Sequence, residues 1–310
     1  MEKSFIELVE QSIKKNWDLD ALTDYKGVTL QYKDVARKIE KIHIILEESG
    51  VKPGDKIAVC GRNMSHWGVT FLSVVTYGAI IVPILHEFKA DQVHNIVNHS
   101  ESKLLFVGDV VWESLDESAM PNLEGIILMN DFSLLISRSD KLTYAREHLN
   151  ELFGRKFPKN FRKEHIDYYK ESAEELLVLN YTSGTTSFSK GVMLPSRALW
   201  SNVEFGKEKL GKILRPGDSV VSMLPMAHMY GLAFEFLYEF CSGCHVYFLT
   251  RMPSPKIILQ AFAEVKPKIV IAVPLIIEKI IKKNVLPKLE TPTMKFLLKV
   301  PLVSDKIKAT

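Results

Sequence analysis

Short apolar runs alternate with amphipathic helical segments from about residue 30 onward, and this alternation strongly limits the folds open to the chain. In the first helical segment Val35, Ile39, Ile42 and Leu46 recur at helical spacing. The apolar run KIAVCG follows after a PGD turn and indicates a strand that is buried on both faces. Strands of this kind, separated by helices, predict a parallel sheet with helices covering each face.

The same pattern predicts the remaining elements in two successive rounds. The predicted helices cover 66–78, about 90–100, 197–210, 230–242, 255–265 and 275–283. The predicted strands are 80–84, KLLFVGD, GIILMN, LLVLNYT, SVVSMLP, HVYFLT and KIVIAVP. Residues 131–172 are richer in charge and only weakly periodic, so we place a boundary there, between a first α/β subdomain (1–170) and a second one (171–310).

The overall charge argues against nucleic acid as a partner. The chain of 310 residues has a formal net charge of only +3, and its 46% hydrophobic content is typical of a globular protein. The basic excess is confined to 278–310, where eight lysines face three acidic residues. A solvated helix face explains these lysines, and attraction to a membrane surface is the alternative.

The cysteines and the apolar stretches predict a cytoplasmic protein. Three cysteines cannot form a disulfide framework, and the N-terminus has no apolar segment of the signal-peptide kind. The uncharged stretch 67–85 contains Gly78 and Pro83, so a buried helix followed by a buried strand explains it better than a membrane span. The C-x-x-C-H pattern at 241–245 matches haem attachment, but we interpret its cysteines as two buried thiols.

One segment, YTSGTTSFSKG at 181–191, breaks the apolar rhythm. It places six hydroxyl side chains, two glycines and a lysine between the strand-like runs VLNY and GVML. Hydroxyl and backbone N–H groups donate to anionic oxygens, and a lysine adds a point charge, which is what a polyphosphate requires. The spacing is not that of a P-loop, and the segment precedes a strand rather than a helix. A Ser/Thr-rich surface turn is the alternative.

Further motifs support the phosphate interpretation by resemblance. The segment fits eight of the ten specified positions of the pattern Y-T-S-G-[ST]-T-G-x-P-K-G, with Ser187 in place of glycine and Ser189 in place of proline. Four other segments resemble elements of the same family: YGAIIVPI (77–84), NHSESKL (98–104), LPMAHMYG (224–231) and VPLIIEKI (273–280). Over about residues 25 to 285 the sequence resembles the adenylate-forming superfamily, most closely the long-chain fatty acyl-CoA synthetases.

The resemblance implies a reaction and a set of site residues. ATP adenylates a carboxylate, here a fatty acid, and coenzyme A then takes the acyl group; Mg²⁺ would bridge phosphate oxygens. By motif match the ATP phosphates would be bound by Thr182, Ser183, Gly184, Thr185, Thr186, Lys190 and Gly191. His228, in the L-P-x-x-H-x-x-G position, would lie in the substrate site rather than act as a general base. The serines at 187 and 189 predict a looser or differently shaped loop, and Ser196 stands where many relatives have histidine.

Other elements of that family do not occur in these 310 residues. They are the Y-G-x-T-E element with its metal-binding glutamate, the T-G-D aspartate and the lysine of the C-terminal domain. The sequence is therefore predicted to be an N-terminal portion with two stacked αβα units, truncated before the distal barrel and inactive alone. An amino-acid or aryl adenylation enzyme is one alternative, and a non-catalytic nucleotide-binding module is another. The long-chain acyl substrates that the resemblance implies would also favour peripheral contact with the inner membrane face.

Overall fold

The strands form two sheets. The structure is a computed structural model that describes residues 4–182, 190–250 and 254–297. The strands are β1 (Asp20–Asp24), β2 (Thr29–Gln31), β3 (Lys56–Cys60), β4 (Ile80–Ile84), β5 (Leu104–Val107), β6 (Gly125–Leu128), β7 (Leu134–Ser137), β8 (Leu176–Thr182), β9 (Lys190–Pro195), β10 (Ser219–Ser222) and β11 (His245–Phe248).

Helices surround these sheets. They are α1 (Phe5–Lys15), α2 (Tyr32–Glu48), α3 (Ser65–Thr76), α4 (Ala90–His99), α5 (Asp109–Trp112), α6 (Asp140–Glu147), α7 (Leu149–Lys156), α8 (Ser196–Leu210), α9 (Met229–Leu232), α10 (Tyr238–Cys241), α11 (Pro255–Val265), α12 (Pro274–Ile280), α13 (Leu286–Leu289) and α14 (Pro292–Leu297). Two π-helical segments, Ala233–Leu237 and Ile281–Val285, join α9 to α10 and α12 to α13. The predicted helices 230–242 and 275–283 are therefore each present but contain a widened turn.

The larger sheet has the strand order β7-β6-β5-β3-β4-β8-β9. Its five inner strands are parallel, and only β7 and β9 at the two edges run antiparallel to their neighbours. Every residue of β4 and β5 is buried, as expected for strands with helices on both faces. The predicted α/β class with stacked sheets is confirmed.

The smaller sheet has the order β10-β11-β1-β2 and draws on both ends of the chain. Its strand β1 pairs in parallel with β11, more than 200 residues later, with Leu22 beside Val246. Conversely, β8 and β9 follow residue 170 but belong to the larger sheet. The change from one sheet to the other therefore does not occur at residue 170. The division into subdomains 1–170 and 171–310 remains a prediction.

The strand predicted at KIVIAVP is wrong. Residues 266–273 have no regular secondary structure, and α12 begins at Pro274. The segment runs beside β10, the edge strand of the smaller sheet, where the Lys268 N–H donates to the Ser219 carbonyl at 2.8 Å. Exposed and half-buried residues alternate along it, and Val270 is 39% exposed. Its apolar composition thus reflects a position at the sheet edge rather than burial on both faces.

The N-terminal helix α1 has no counterpart in the predicted elements. It buries Phe5, Val9 and Ile13. The buried Glu171 carboxylate holds its first turn by accepting hydrogen bonds from the Ile6 N–H at 2.9 Å and from the Ser196 hydroxyl at 2.7 Å. Ser196 therefore has a structural partner, which accounts for a serine at this position.

The uncharged stretch 67–85 forms a buried helix and a buried strand, as predicted. Helix α3 ends at Thr76, Gly78 has φ +86°, and β4 follows from Ile80. Within the described ranges no helix combines the length and apolar character needed to cross a membrane.

We expect Gly78→Ala to destabilise the fold. A left-handed φ and a Cβ only 2.7 Å from Tyr169 Cγ should together cost at least about 1–2 kcal/mol. Gly154→Ala is the matched control, because Gly154 lies within α7 with nothing within 4 Å of its added Cβ, so alanine there should be neutral or slightly stabilising. Urea unfolding followed by circular dichroism measures both, and equal effects of the two changes would contradict the assignment.

Candidate functional site

A cleft of about 300 Å³ opens where the carboxyl ends of the two sheets meet. Ligands of open α/β sheets bind at this edge, because the loops that follow parallel strands converge there. Its walls are mostly apolar, with a few polar and charged groups at the strand ends. The lining residues are Arg62, Asn63, His86, Glu87, Met223, Leu224, Pro225, Leu249, Thr250, Pro255, Ile258, Ile276 and Lys279.

One wall of the cleft is the loop after β10, which begins the L-P-x-x-H-x-x-G element. The buried Asn63 amide, from the larger sheet, donates to the Leu224 carbonyl at 2.6 Å and accepts from the Met226 N–H at 2.9 Å. From the other side, the Glu235 carboxyl accepts from the backbone N–H groups of Met223 and Leu224 at 2.9 and 2.7 Å. The loop is therefore held by two buried side chains, one from each layer.

Glu235 lies in the π-helical segment and is only 2% exposed. Burial raises its pKa to about 8, against the lowering effect of the two backbone N–H groups and the Ser222 hydroxyl. Its second oxygen, Oε1, is buried without a hydrogen-bond partner among the described residues. Burial also holds the pKa of Glu239 well above its usual range. The Glu235 carboxyl is therefore largely protonated at neutral pH.

The predicted phosphate-binding segment connects β8 to β9. Thr182 and Lys190 face each other as the last register pair of this hairpin, and both are exposed. Gly191 pairs with Tyr181, and a Cβ added to Gly191 would lie 3.1 Å from Leu179 Cδ1. The other predicted phosphate-binding residues, Ser183, Gly184, Thr185 and Thr186, lie outside the described residues, as do Ser187 and Ser189.

The hairpin lies at the same edge as the cleft. Strand β8 pairs in parallel with β4, with Val178 beside Ile81. Both strands therefore end at the carboxyl edge, where Thr182 leaves the sheet on the β8 side and His86, which lines the cleft, follows β4. Burial lowers the pKa of His86, so that its ring is neutral at pH 7.

The segment NHSESKL (98–104), which resembles an element of the family, contributes a contact to the hairpin. His99, the last residue of α4, has its Nδ1 2.7 Å from the hydroxyl of the buried Tyr181. Tyr181 directly precedes Thr182, so the contact anchors the strand that leads into the phosphate-binding segment. This histidine supports the hairpin rather than lining the cleft.

His228 occupies the N-cap position of α9 and is exposed. Its backbone N–H donates to the carbonyl of Pro225, which lines the cleft, at 2.9 Å. The imidazole itself is not part of the cleft wall. His228 thus follows the lining residue Pro225 by three positions in the sequence, and its substrate-site role stays a prediction.

The C-x-x-C-H pattern has a structural explanation. Burial raises the pKa of both the Cys241 and Cys244 thiols to about 12, so neither is a ready nucleophile or ligand. The Cys244 carbonyl accepts the Tyr32 hydroxyl at 2.9 Å, and His245 Nε2 lies 2.6 Å from Thr23 Oγ1. These residues hold β11 to α2 and to its neighbour β1 within the smaller sheet.

Asn63 and Glu235 were not among the predicted site residues. Each carried a signal, because Asn63 follows a buried strand and Glu235 is an acidic residue inside the apolar run GLAFEFL. A buried polar side chain needs a partner, and here the partner is the backbone of the cleft loop.

Comparison with known proteins gives the family. The AMP-binding enzyme family matches residues 9–305, and the chain belongs to it. Long-chain-fatty-acid–CoA ligase 5 of Rattus norvegicus is 26% identical over 292 residues, covering 90% of this chain and 41% of that protein. The human long-chain-fatty-acid–CoA ligase ACSBG2 is 28% identical over 259 residues, covering 82% of this chain and 38% of that protein. The chain thus spans about two fifths of the length of these curated relatives.

Solved structures show the same fold. The N-terminal domain of FACL13 from Mycobacterium tuberculosis superposes with a TM-score of 0.71 and 19% identity, covering 95% of this chain and 67% of that one. A red emitting luciferase from Phrixothrix hirtus gives a TM-score of 0.73 at 16% identity, covering 97% of this chain and 53% of that one. At these identities the likeness establishes the fold alone.

We expect the stability of the protein to depend on the protonation of Glu235. Its pKa is about 8 in the folded state and near the ordinary glutamate value of 4.5 in the unfolded state, so the folded protein binds an extra proton between these two pH values. The stabilisation that this proton gives to the folded state is complete below pH 4.5. It is lost as the pH rises to 8, by up to about 1 kcal/mol per pH unit.

Glu235→Gln should remove this dependence, because the amide oxygen still accepts both backbone N–H groups but does not ionise. The free energy of unfolding in urea, measured from pH 5 to pH 8, should fall more steeply for the wild type than for the variant. The two proteins share His43, whose pKa burial lowers to about 3, so its titration cancels in the comparison. Glu235→Ala leaves two buried N–H groups unpaired and should cost about 2–4 kcal/mol at pH 5. Parallel pH profiles of the wild type and Glu235→Gln would contradict the assignment.

Proposed function

We propose that the chain is the N-terminal part of an ATP-dependent long-chain fatty acid–CoA ligase. The observation that carries the proposal is the placement of a largely apolar cleft and the ends of the β8–β9 hairpin at one edge of the larger sheet. An acyl chain needs the apolar walls, and a nucleotide polyphosphate needs the hydroxyl-rich, lysine-bearing hairpin. Membership of the AMP-binding family and the names of the curated relatives support the same function.

In the proposed reaction a carboxylate oxygen attacks the α-phosphorus of ATP. The bond from the α-phosphorus to the bridging oxygen breaks, and pyrophosphate leaves with the electron pair. The sulfur of coenzyme A then attacks the acyl carbonyl of the acyl adenylate, AMP leaves, and the thiol proton goes to solvent. Such chemistry depends on positioning and on charge neutralisation more than on a protein nucleophile.

The chain's own residues would contribute binding and orientation. Leu224, Leu249 and Ile258 supply apolar wall for the acyl chain. Lys190 and Thr182 would contact the phosphates from the two ends of the hairpin. Mg²⁺, when bound, would neutralise phosphate charge.

We propose that catalysis also requires the Y-G-x-T-E and T-G-D elements of the family, which do not occur in these 310 residues. The purified 310-residue chain should bind ATP weakly and should not exchange pyrophosphate into ATP in the presence of a fatty acid.

We also propose a cytoplasmic location with peripheral membrane contact. Support for such contact comes from α12 and the π-helical segment after it, which carry the exposed Leu275 and Ile277 together with Lys279 and Lys282.

We expect Lys190→Ala to weaken ATP binding by about tenfold or more, because a charge-assisted contact to phosphate is lost. Lys212→Ala is the control, since Lys212 is also exposed but precedes β10 at the opposite, amino edge of the smaller sheet. Calorimetric titration of ATP into the wild type and both variants measures the effect. Equal affinities of all three proteins would exclude the hairpin as the phosphate site.

A panel of carboxylic acids on the complete protein separates the proposed substrate class from its rivals. We expect carboxylate-dependent pyrophosphate exchange with long-chain fatty acids and little with amino acids or aryl acids. Exchange with an amino acid or an aryl acid instead would establish the other adenylation class. ATP binding without exchange for any acid in the panel would indicate a non-catalytic nucleotide-binding protein.

A further inference from the structure

A second groove lies on the helical face formed by α2, α6 and α7, and it shares no residue with the cleft. Its volume is about 250 Å³, and the turn between β6 and β7 contributes Asp131 and Phe132 to its lining. Three cationic side chains line it against one acidic side chain. The polar and aromatic lining residues are Lys38, Lys41, Arg146, Asp131, Phe132 and Asn150.

The three cations of the groove have no salt-bridge partner among the described residues. Other partly buried lysines of the larger sheet do, such as Lys56 with Glu101 at 3.3 Å and Lys103 with Asp55 at 2.8 Å. The groove therefore concentrates positive charge that its own surroundings leave largely uncompensated.

Neutral groups hold these cations in place. Lys41 Nζ donates to Asn150 Oδ1 at 2.9 Å, and Arg146 Nε donates to the Phe132 carbonyl at 2.6 Å. Lys38 Nζ lies 5.9 Å from the centre of the Phe132 ring. Phe132 itself has φ +60°, a left-handed conformation that is costly for a bulky residue. The side chains are thus positioned without being neutralised.

The cations also repel each other. Burial lowers the pKa of Lys38, and the neighbouring Lys41 lowers it further while Asp34 raises it. Burial likewise lowers the pKa of Lys41, with Arg37 and Arg146 adding to the effect. A bound anion would relieve this repulsion and would gain strength from the partial burial.

We propose that this groove binds a small anion of the phosphate class through Lys38, Lys41 and Arg146. Three cations against the single carboxylate of Asp131 leave a net charge that matches a dianion rather than a carboxylate. A guanidinium presents a planar donor array to phosphate oxygens, and the two ammonium groups add point charges. The ligand is inorganic phosphate, pyrophosphate or the phosphate end of a nucleotide, and this site is independent of the proposed ligase reaction.

The test uses the full chain carrying Lys190→Ala, in which binding at the hairpin is weakened. Pyrophosphate titrated at constant ionic strength should bind saturably to this chain. The additional changes Lys38→Met and Lys41→Met, which keep the apolar stems, should weaken that binding by tenfold or more. Lys33→Met is the control, since Lys33 lies on the same helix, pairs with Asp18 and does not line the groove.

Thermal unfolding provides a second readout. Pyrophosphate should raise the unfolding midpoint of the Lys190→Ala chain and of its Lys33→Met and Lys38→Arg derivatives, but not of the Lys38→Met/Lys41→Met derivative. Parallel titrations with inorganic phosphate and AMP identify the source of the phosphate group, because the ligand that the groove prefers binds more tightly. The proposal is overturned if the Lys190→Ala chain shows no saturable binding, or if Lys38→Met/Lys41→Met binds pyrophosphate as the control does.

Discussion

The cleft depends on the burial of backbone that belongs to no helix or strand. The loop after β10 turns away from the sheet, so its N–H and C=O groups lose their ladder partners while remaining out of water. Each unpaired group would cost about 1–3 kcal/mol, and Asn63 and Glu235 satisfy four of them. Because Asn63 follows β3 of the larger sheet and Glu235 lies in the helical segment between β10 and β11 of the smaller one, the same contacts fix the two layers against each other.

These contacts require each side chain to present the hydrogen-bond donors and acceptors that match the backbone groups it meets. Asn63 supplies a donor and an acceptor from one amide, which matches the carbonyl and N–H that it meets. Glu235 meets only donors, yet its burial favours the neutral acid, because the cost of removing a charge from water exceeds the gain from the two N–H groups. The widened π-helical turn places this carboxyl group directly behind the loop, in agreement with the frequent use of such turns at functional sites.

Part of this organisation could be predicted from the sequence, and the reason differs from element to element. Strands β3, β4 and β8 are recognisable because their apolar runs are bounded by turns and buried on both faces. The KIVIAVP run has the same composition but lies beyond β10, where it makes an edge contact, so composition alone led to the wrong element. The pairing of β1 with β11 and the partners of Asn63 join residues more than 150 positions apart, which no local pattern encodes.

The candidate site shows the same limit. The hydroxyl-rich segment 181–191 was visible as a break in the apolar rhythm, and the structure places the ends of that segment at the carboxyl edge of the larger sheet. The location of the apolar wall was not visible, because Leu249 and Ile258 come from separate elements that meet only in the folded chain. The roles of His99 and Ser196 likewise follow from contacts with Tyr181 and Glu171 rather than from their own neighbours in sequence.

The L-P-x-x-H-x-x-G element divides into two physically different halves. Leu224, Met226 and Ala227 are buried, and Asn63 and Glu235 hold the backbone of this half. His228 and Tyr230 are exposed, with His228 at a helix N-terminus. A group that meets a substrate must keep its hydrogen-bonding capacity open until the substrate arrives, whereas a group that shapes the site must have it satisfied by the protein. The element thus combines a fixed, buried half with an exposed half, and the predicted substrate-site role of His228 requires that exposure.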